Sequence, residues 1–294
     1  MTSIAFSFNL LTDLQQMFHF QFMQHAFEAG TIVAIMAGIV GYFVVLRRSS
    51  FAAHALAHIG FAGAAGAVLF GISPVFGLLV STNISGFTMA VLGPRAAHRD
   101  TQIGIVLAFM LGLGVLFISL YTGYATEAYS ILFGEILGIS SNDVLLTLVA
   151  GLIISVAVAI VYRPLLFASI DEDVAEAKGM PMLLLGIIFM LLVAVATSIA
   201  VQVVGVLLIF SLMVTPAATA QRLAKQPQRI MIISVIIALM ATWLGLFISF
   251  YEPYPVSFFI TSMVFSFYLF VRFGYQRIKP REALNRQTGK GKTD

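Results

Sequence analysis

Apolar runs of about 20 residues recur from residue 27 to residue 272, and they constrain the fold more than any other feature of the chain. Each run is long enough for a helix to cross the roughly 30 Å hydrocarbon core of a bilayer. Lipid offers the backbone no hydrogen-bond partners, so only helices or closed barrels can span it, and these runs are far too long for barrel strands. The chain therefore reads as an all-α, polytopic transmembrane helical bundle of about eight to nine spans.

Expected spans cover 26–46, 51–69, 74–92, 103–121, 144–162, 182–199, 203–220, 230–250 and 256–273. Of the 294 residues 60% are hydrophobic and 10% charged, against about a quarter charged in soluble domains. No polar block is long enough to be a separate soluble domain. Residues 1–25 read as an amphipathic segment lying at the interface, 26–273 as one transmembrane domain, and 274–294 as a basic tail. The stretch before Arg47 holds no Lys or Arg, so it lacks the charged start of a secretory signal and is expected to be retained.

Basic residues gather at alternate span ends: Arg47 and Arg48, Arg95 and Arg99, Arg163, then Arg222, Lys225 and Arg229, and finally Arg272, Arg277, Lys279 and Arg281. The positive-inside rule puts these ends and the C-terminus in the cytoplasm and the N-terminus outside. Orientation in a membrane accounts for the net charge of +3 and calls for no nucleic-acid partner. Residues 122–143, with Glu127, Glu135 and Asp143, should lie outside or dip into the bundle. A tight hairpin is expected around Gln202, and Pro216 should kink or end its helix.

One cytoplasmic interruption is patterned. Asp171, Glu172 and Asp173 open a short helical stretch, Gly179 is placed to stop it and Pro181 follows. Acidic residues suit a helix start and glycine its end, so the loop near 168–181 is a candidate docking helix.

The second span carries the chemistry. His54 and His58 lie one turn apart, about 40° around the helix, so both imidazoles can address one point. A histidine pair in an apolar span is a ligand or gate candidate. Gly60, Gly63, Ala64 and Ala67 offer a separate face for close helix packing. His25, Glu28, Glu135, Asp143 and Glu252 fall near expected outer ends, where Glu135 and Glu252 are candidate pathway or entrance groups.

Several chemistries are excluded. The chain has no cysteine, so a metal must be held by His, carboxylate, amide or backbone oxygen. Ala55 stands where an HExxH protease needs its glutamate base. The terminal GKGKT lacks a phosphate-binding loop, because Arg286 holds the place of its first glycine and no strand precedes it. The chain is thus expected not to be an enzyme, and any ATP-driven step needs another subunit.

Three blocks, FMQHAF with VVLRRSSFAAHALAHIGFAG, then FGEILGIS, then VQVVGVLLIFSLMVTPAATAQRLA, stand in order at natural spacing. Together they resemble the permease subunits of ABC importers for zinc, manganese and iron, over nearly the whole chain. The resemblance implies a type II ABC importer permease-like fold in a bacterial cytoplasmic (inner) membrane. It further implies a homodimer enclosing the pathway, two cytoplasmic ATP-binding subunits, and an extracellular or periplasmic metal-binding protein that delivers the ion. The coupling helix of such permeases maps onto Asp171, Glu172, Asp173, Ala175 and Gly179. The metal is cargo; no permanently bound cofactor is expected.

One departure stands out. The family pattern resembles DALSH, whereas this chain has HALAH, so His58 fits and His54 replaces an aspartate. A His/His pair is softer and less anionic than Asp/His and should favour zinc, or another imidazole-loving cation, over manganese; iron stays possible. The rival readings are a secondary metal transporter driven by an ion gradient, which usually shows inverted repeats not seen here, and a membrane scaffold or sensor.

Overall fold

The computed structural model describes residues 15–92, 99–121, 134, 136–252 and 254–288. Among them every regular element is helical: α1 (Gln21–Leu46), α2 (Ser50–Leu69), α3 (Pro74–Leu92), α4 (Arg99–Leu120), α5 (Ser141–Ile170), α6 (Glu172–Ala177), α7 (Met182–Val204), α8 (Val206–Leu223), α9 (Pro227–Tyr251) and α10 (Val256–Thr288). Nine of these, all but α6, are long and apolar enough to cross a membrane. The apolar part of α10 ends at Gly274, while its backbone stays helical to Thr288.

Helix α1 is the hub, packed on α5, α7, α8 and α9. Its glycines make this possible. A methyl at Gly41 would overlap the Met213 carbonyl of α8, and one at Gly38 would sit 2.7 Å from Val235 Cα of α9. Small residues let helices in lipid approach closely, where packing and hydrogen bonds replace the hydrophobic drive available in water.

Helix α2 packs chiefly on α3 and α4. The expected small-residue face is used: a methyl at Gly63 would overlap the Ser81 side chain and the Gly77 carbonyl of α3, and one at Gly60 would crowd Leu78. Buried hydroxyls tie α3 to α7 at this seam. Thr82 Oγ1 and Ser198 Oγ share a hydrogen bond of 2.5 Å, and Ser198 also donates to the Ala194 carbonyl at 2.8 Å. The outer faces of α4 and α5 carry exposed Ile105, Phe109, Val115, Ile153 and Ile160, as lipid contact requires.

Several helix boundaries differ from expectation: α1 begins at Gln21 and not at residue 26, and α4 at Arg99 and not at residue 103. Helix α5 passes the expected end at Tyr162 and runs through Pro164 to Ile170. Proline inside a helix costs about 3 kcal/mol, but the extension buries Leu165 and Ala168 against neighbouring helices. Helix α8 likewise continues through Pro216 to Leu223, with Pro216 and Ala217 buried. Between α7 and α8 the chain breaks at Gly205, not at Gln202. Gly205 adopts φ 82°, a region open to glycine and strained for other residues. Val203, Val204, Gly205 and Val206 are all buried, so this connection is covered by the rest of the chain. Helix α8 packs mainly on α1, α9 and α10.

Candidate functional site

The least buried positions in the interior of α2 are His54, His58, Phe61, Gly63, Ala65 and Val68. All but Gly63 recur at three- and four-residue steps and span about 80° of the helix, away from the face that packs on α3. The two rings meet edge to face with centroids 4.5 Å apart. The close pair anticipated from their spacing is therefore formed. His54 also stacks edge to face on Phe210 of α8, centroids 4.8 Å apart. Among the described residues neither imidazole takes part in a hydrogen bond, His25 being the histidine that does. Among the described residues no group of three or more His, Asp or Glu side chains is placed to hold a metal ion. The pair thus offers two nitrogen donors, against four ligands in a closed structural zinc site. Such a site suits an ion in transit, because an ion that must leave again has to be bound weakly.

Phe210 was not legible as a site residue in the sequence. Its place follows from Gly205: α8 starts immediately after the break, and Phe210 lies one turn on from Val206. Gly134, φ 76°, lies on that break, where a methyl would overlap the Val204 carbonyl and the Gly205 nitrogen. The three blocks that carried the family resemblance therefore meet in one continuous unit, from Gly134 to Gly205 to Phe210 to the histidines. The glycine in VVGVLL was the only available signal.

The candidate entrance groups divide. Glu252 is exposed at the end of α9, its carbonyl accepting the Tyr254 N–H at 2.8 Å. Glu127 and Glu135 lie outside the described residues. Asp143 is engaged structurally: it accepts the Ser140 N–H at 3.2 Å, Ser140 Oγ accepts the Asp143 N–H at 3.3 Å, and Gln202 Nε2 donates to Asp143 at 2.9 Å. This capping box starts α5 ahead of residue 144 and binds it to the last turn of α7. His25 is tied to the same region through the Ile139 carbonyl, 3.1 Å from Nδ1, and through Ser141 Oγ, 3.3 Å from Nε2. Glu28 is exposed.

At the other end of α5, Asp171 caps α6, its carboxylate accepting the Val174 N–H at 3.0 Å. The helix closes as its sequence suggests. Gly179, φ 77°, donates to the Glu176 carbonyl at 2.8 Å, and Met180 N–H to the Ala175 carbonyl at 3.1 Å, the paired bonds of a Schellman stop. Glu172, Asp173, Val174 and Glu176 are exposed. Ala175 is fully buried instead, in a small core with Ala168 and Leu185 that is separate from the main one. It seats α6 on α5 and α7 and leaves the exposed face to its neighbours. Nearby, the Arg47 guanidinium lies over the Phe189 ring at 5.0 Å and donates to Ser169 Oγ at 3.3 Å, joining the end of α1 to α5 and α7.

Known proteins resemble this chain in sequence and fold. The manganese import system permease protein ScaB of Streptococcus gordonii is 32% identical over 242 residues, 81% of this chain and 85% of that one. The high-affinity zinc uptake system membrane protein ZnuB of Buchnera aphidicola subsp. Acyrthosiphon pisum is 28% identical over 231 residues, 78% and 88% of the two chains. The solved structure of PsaBC from Streptococcus pneumoniae in complex with Fab superposes with a TM-score of 0.82 at 30% identity, covering 93% of this chain and 99% of that one. Residues 19–274 match the model of the ABC 3 transport family, and a match over that span, on a bundle of this fold, makes the chain a member of that family.

Proposed function

We propose that this chain is the permease subunit of an ATP-driven importer for a divalent transition-metal cation, with zinc favoured over manganese and iron. The observation that carries this reading is the His54–His58 pair, rings 4.5 Å apart, on the incompletely buried face of α2. Imidazole nitrogen is a good zinc donor, and the pair lacks the aspartate oxygen that would better suit manganese. The relatives named for manganese and zinc transport support the cation class.

In this reading a second copy of the chain completes the pathway. The α8 face bearing Leu207, Ser211, Val214 and Ala218 is incompletely buried in the single chain and supports a homodimer. ATP-binding subunits dock on the exposed face of α6, hydrolyse ATP and drive alternating access, while this chain performs no catalysis itself. An external metal-binding protein delivers the ion past Glu252 and Glu135. The chain sits multi-pass in a bacterial cytoplasmic membrane with the 274–294 tail inside, the segment before α1 at the outer interface, and the metal as cargo only.

Zinc uptake into liposomes that contain this chain, with and without its ATPase subunit, tests the reading. Uptake that requires both the ATPase and ATP is expected. Uptake by the chain alone under a proton gradient would make it a secondary transporter.

A further inference from the structure

We infer that Phe210 is a positioning residue for the cation site: its ring on α8 holds the His54 imidazole in the orientation that lets it share one ion with His58. This rests on the reading of His54 and His58 as the cation site. A histidine that ligates a metal is ordinarily oriented by a hydrogen bond from its other ring nitrogen to a carboxylate or carbonyl. His54 has no such bond among the described residues; its ring contacts there are His58 at 4.5 Å and Phe210 at 4.8 Å, both edge to face. Aromatic packing therefore sets its ring plane.

Phe210 is itself well placed for this. It stands one turn after the buried Gly205 break, which fixes its height, and it is half-buried on the side of α8 that meets α2. Orientation by packing leaves both imidazole nitrogens of His54 unengaged in the described structure. It also couples the ligand to α8: a shift of α8 about Gly205 moves the ring that holds His54, and the ion loses a preset ligand. An aromatic contact of this kind is worth about three- to tenfold in an equilibrium.

The test measures zinc- and manganese-stimulated ATP hydrolysis by the complete reconstituted transporter as a function of metal concentration. Phe210→Ala and Phe210→Leu should raise the half-stimulating zinc concentration about three- to tenfold while the maximal rate stays within about twofold. Phe210→Tyr, which keeps the ring, should restore the parent value. Phe210→Leu decides the matter if the alanine variant does not assemble. Half-stimulating concentrations within about twofold of the parent in the leucine variant, or a loss of maximal rate alone, would overturn the positioning role. His58→Ala in the same preparation separates the two claims: lost zinc stimulation there leaves the cation site standing whatever Phe210 does, and normal stimulation removes the site.

Discussion

His54 stands where the resemblance implies an aspartate, and the structure places its ring against that of His58. An imidazole in place of an aspartate would exchange a hard anionic oxygen for a neutral nitrogen, and in the proposed reading this favours zinc. His54→Asp should therefore shift the ratio of half-saturating zinc and manganese concentrations toward manganese by about threefold or more, ~0.7 kcal/mol. Competition between the two ions in uptake measures it, and an unchanged ratio would mean that the selectivity lies elsewhere. Asp143 gives the opposite lesson. A carboxylate near an outer helix end looked available to a ligand, but its oxygens receive the Ser140 N–H and the Gln202 amide, so its role is to hold α5 to α7.

Helix α6 depends on one buried methyl. Ala175 has 0% exposure and packs with Ala168 and Leu185, so Ala175→Leu should overpack this small core at a cost of about 1–3 kcal/mol. The expected outcome is a lower maximal rate of cation-stimulated ATP hydrolysis with an unchanged half-stimulating concentration, the reverse of the Phe210 pattern. This helix was legible in the sequence because its determinants are local: an acidic cap at Asp171 and a stop at Gly179 act within one turn of their neighbours. The spans were legible for the same reason, since hydropathy is summed along the chain. Pro216 does not end its helix, because its local cost is outweighed by burial of Pro216 and Ala217 against neighbouring helices. The break at Gly205 was hidden because glycine in an apolar run can equally pack inside a helix, as Gly38 and Gly41 do. Of the candidate site, the histidine pair was readable from its helical spacing. Phe210 was not, because its partner lies on another helix and no local pattern encodes that contact.

At the scale of the whole molecule, the nine membrane-length helices among the described residues, in a chain without cysteine, make sidedness directly measurable. With the basic ends inside, a cysteine at Tyr254 should react with a membrane-impermeant maleimide in intact cells. One at Lys225 should react only after the membrane is opened; the reverse pattern would invert the proposed orientation. A chain of contacts joins α6 to the histidines: α6 is seated on α7, α7 meets α8 at Gly205, and α8 carries Phe210 to His54. That chain of contacts has meaning only if the pair handles the ion. The most direct measurement is zinc accumulation in cells carrying His54→Ala and His58→Ala separately, with expression of each variant matched to the parent. Accumulation should fall by about tenfold or more in His58→Ala and measurably in His54→Ala, whereas normal accumulation in both would contradict the account.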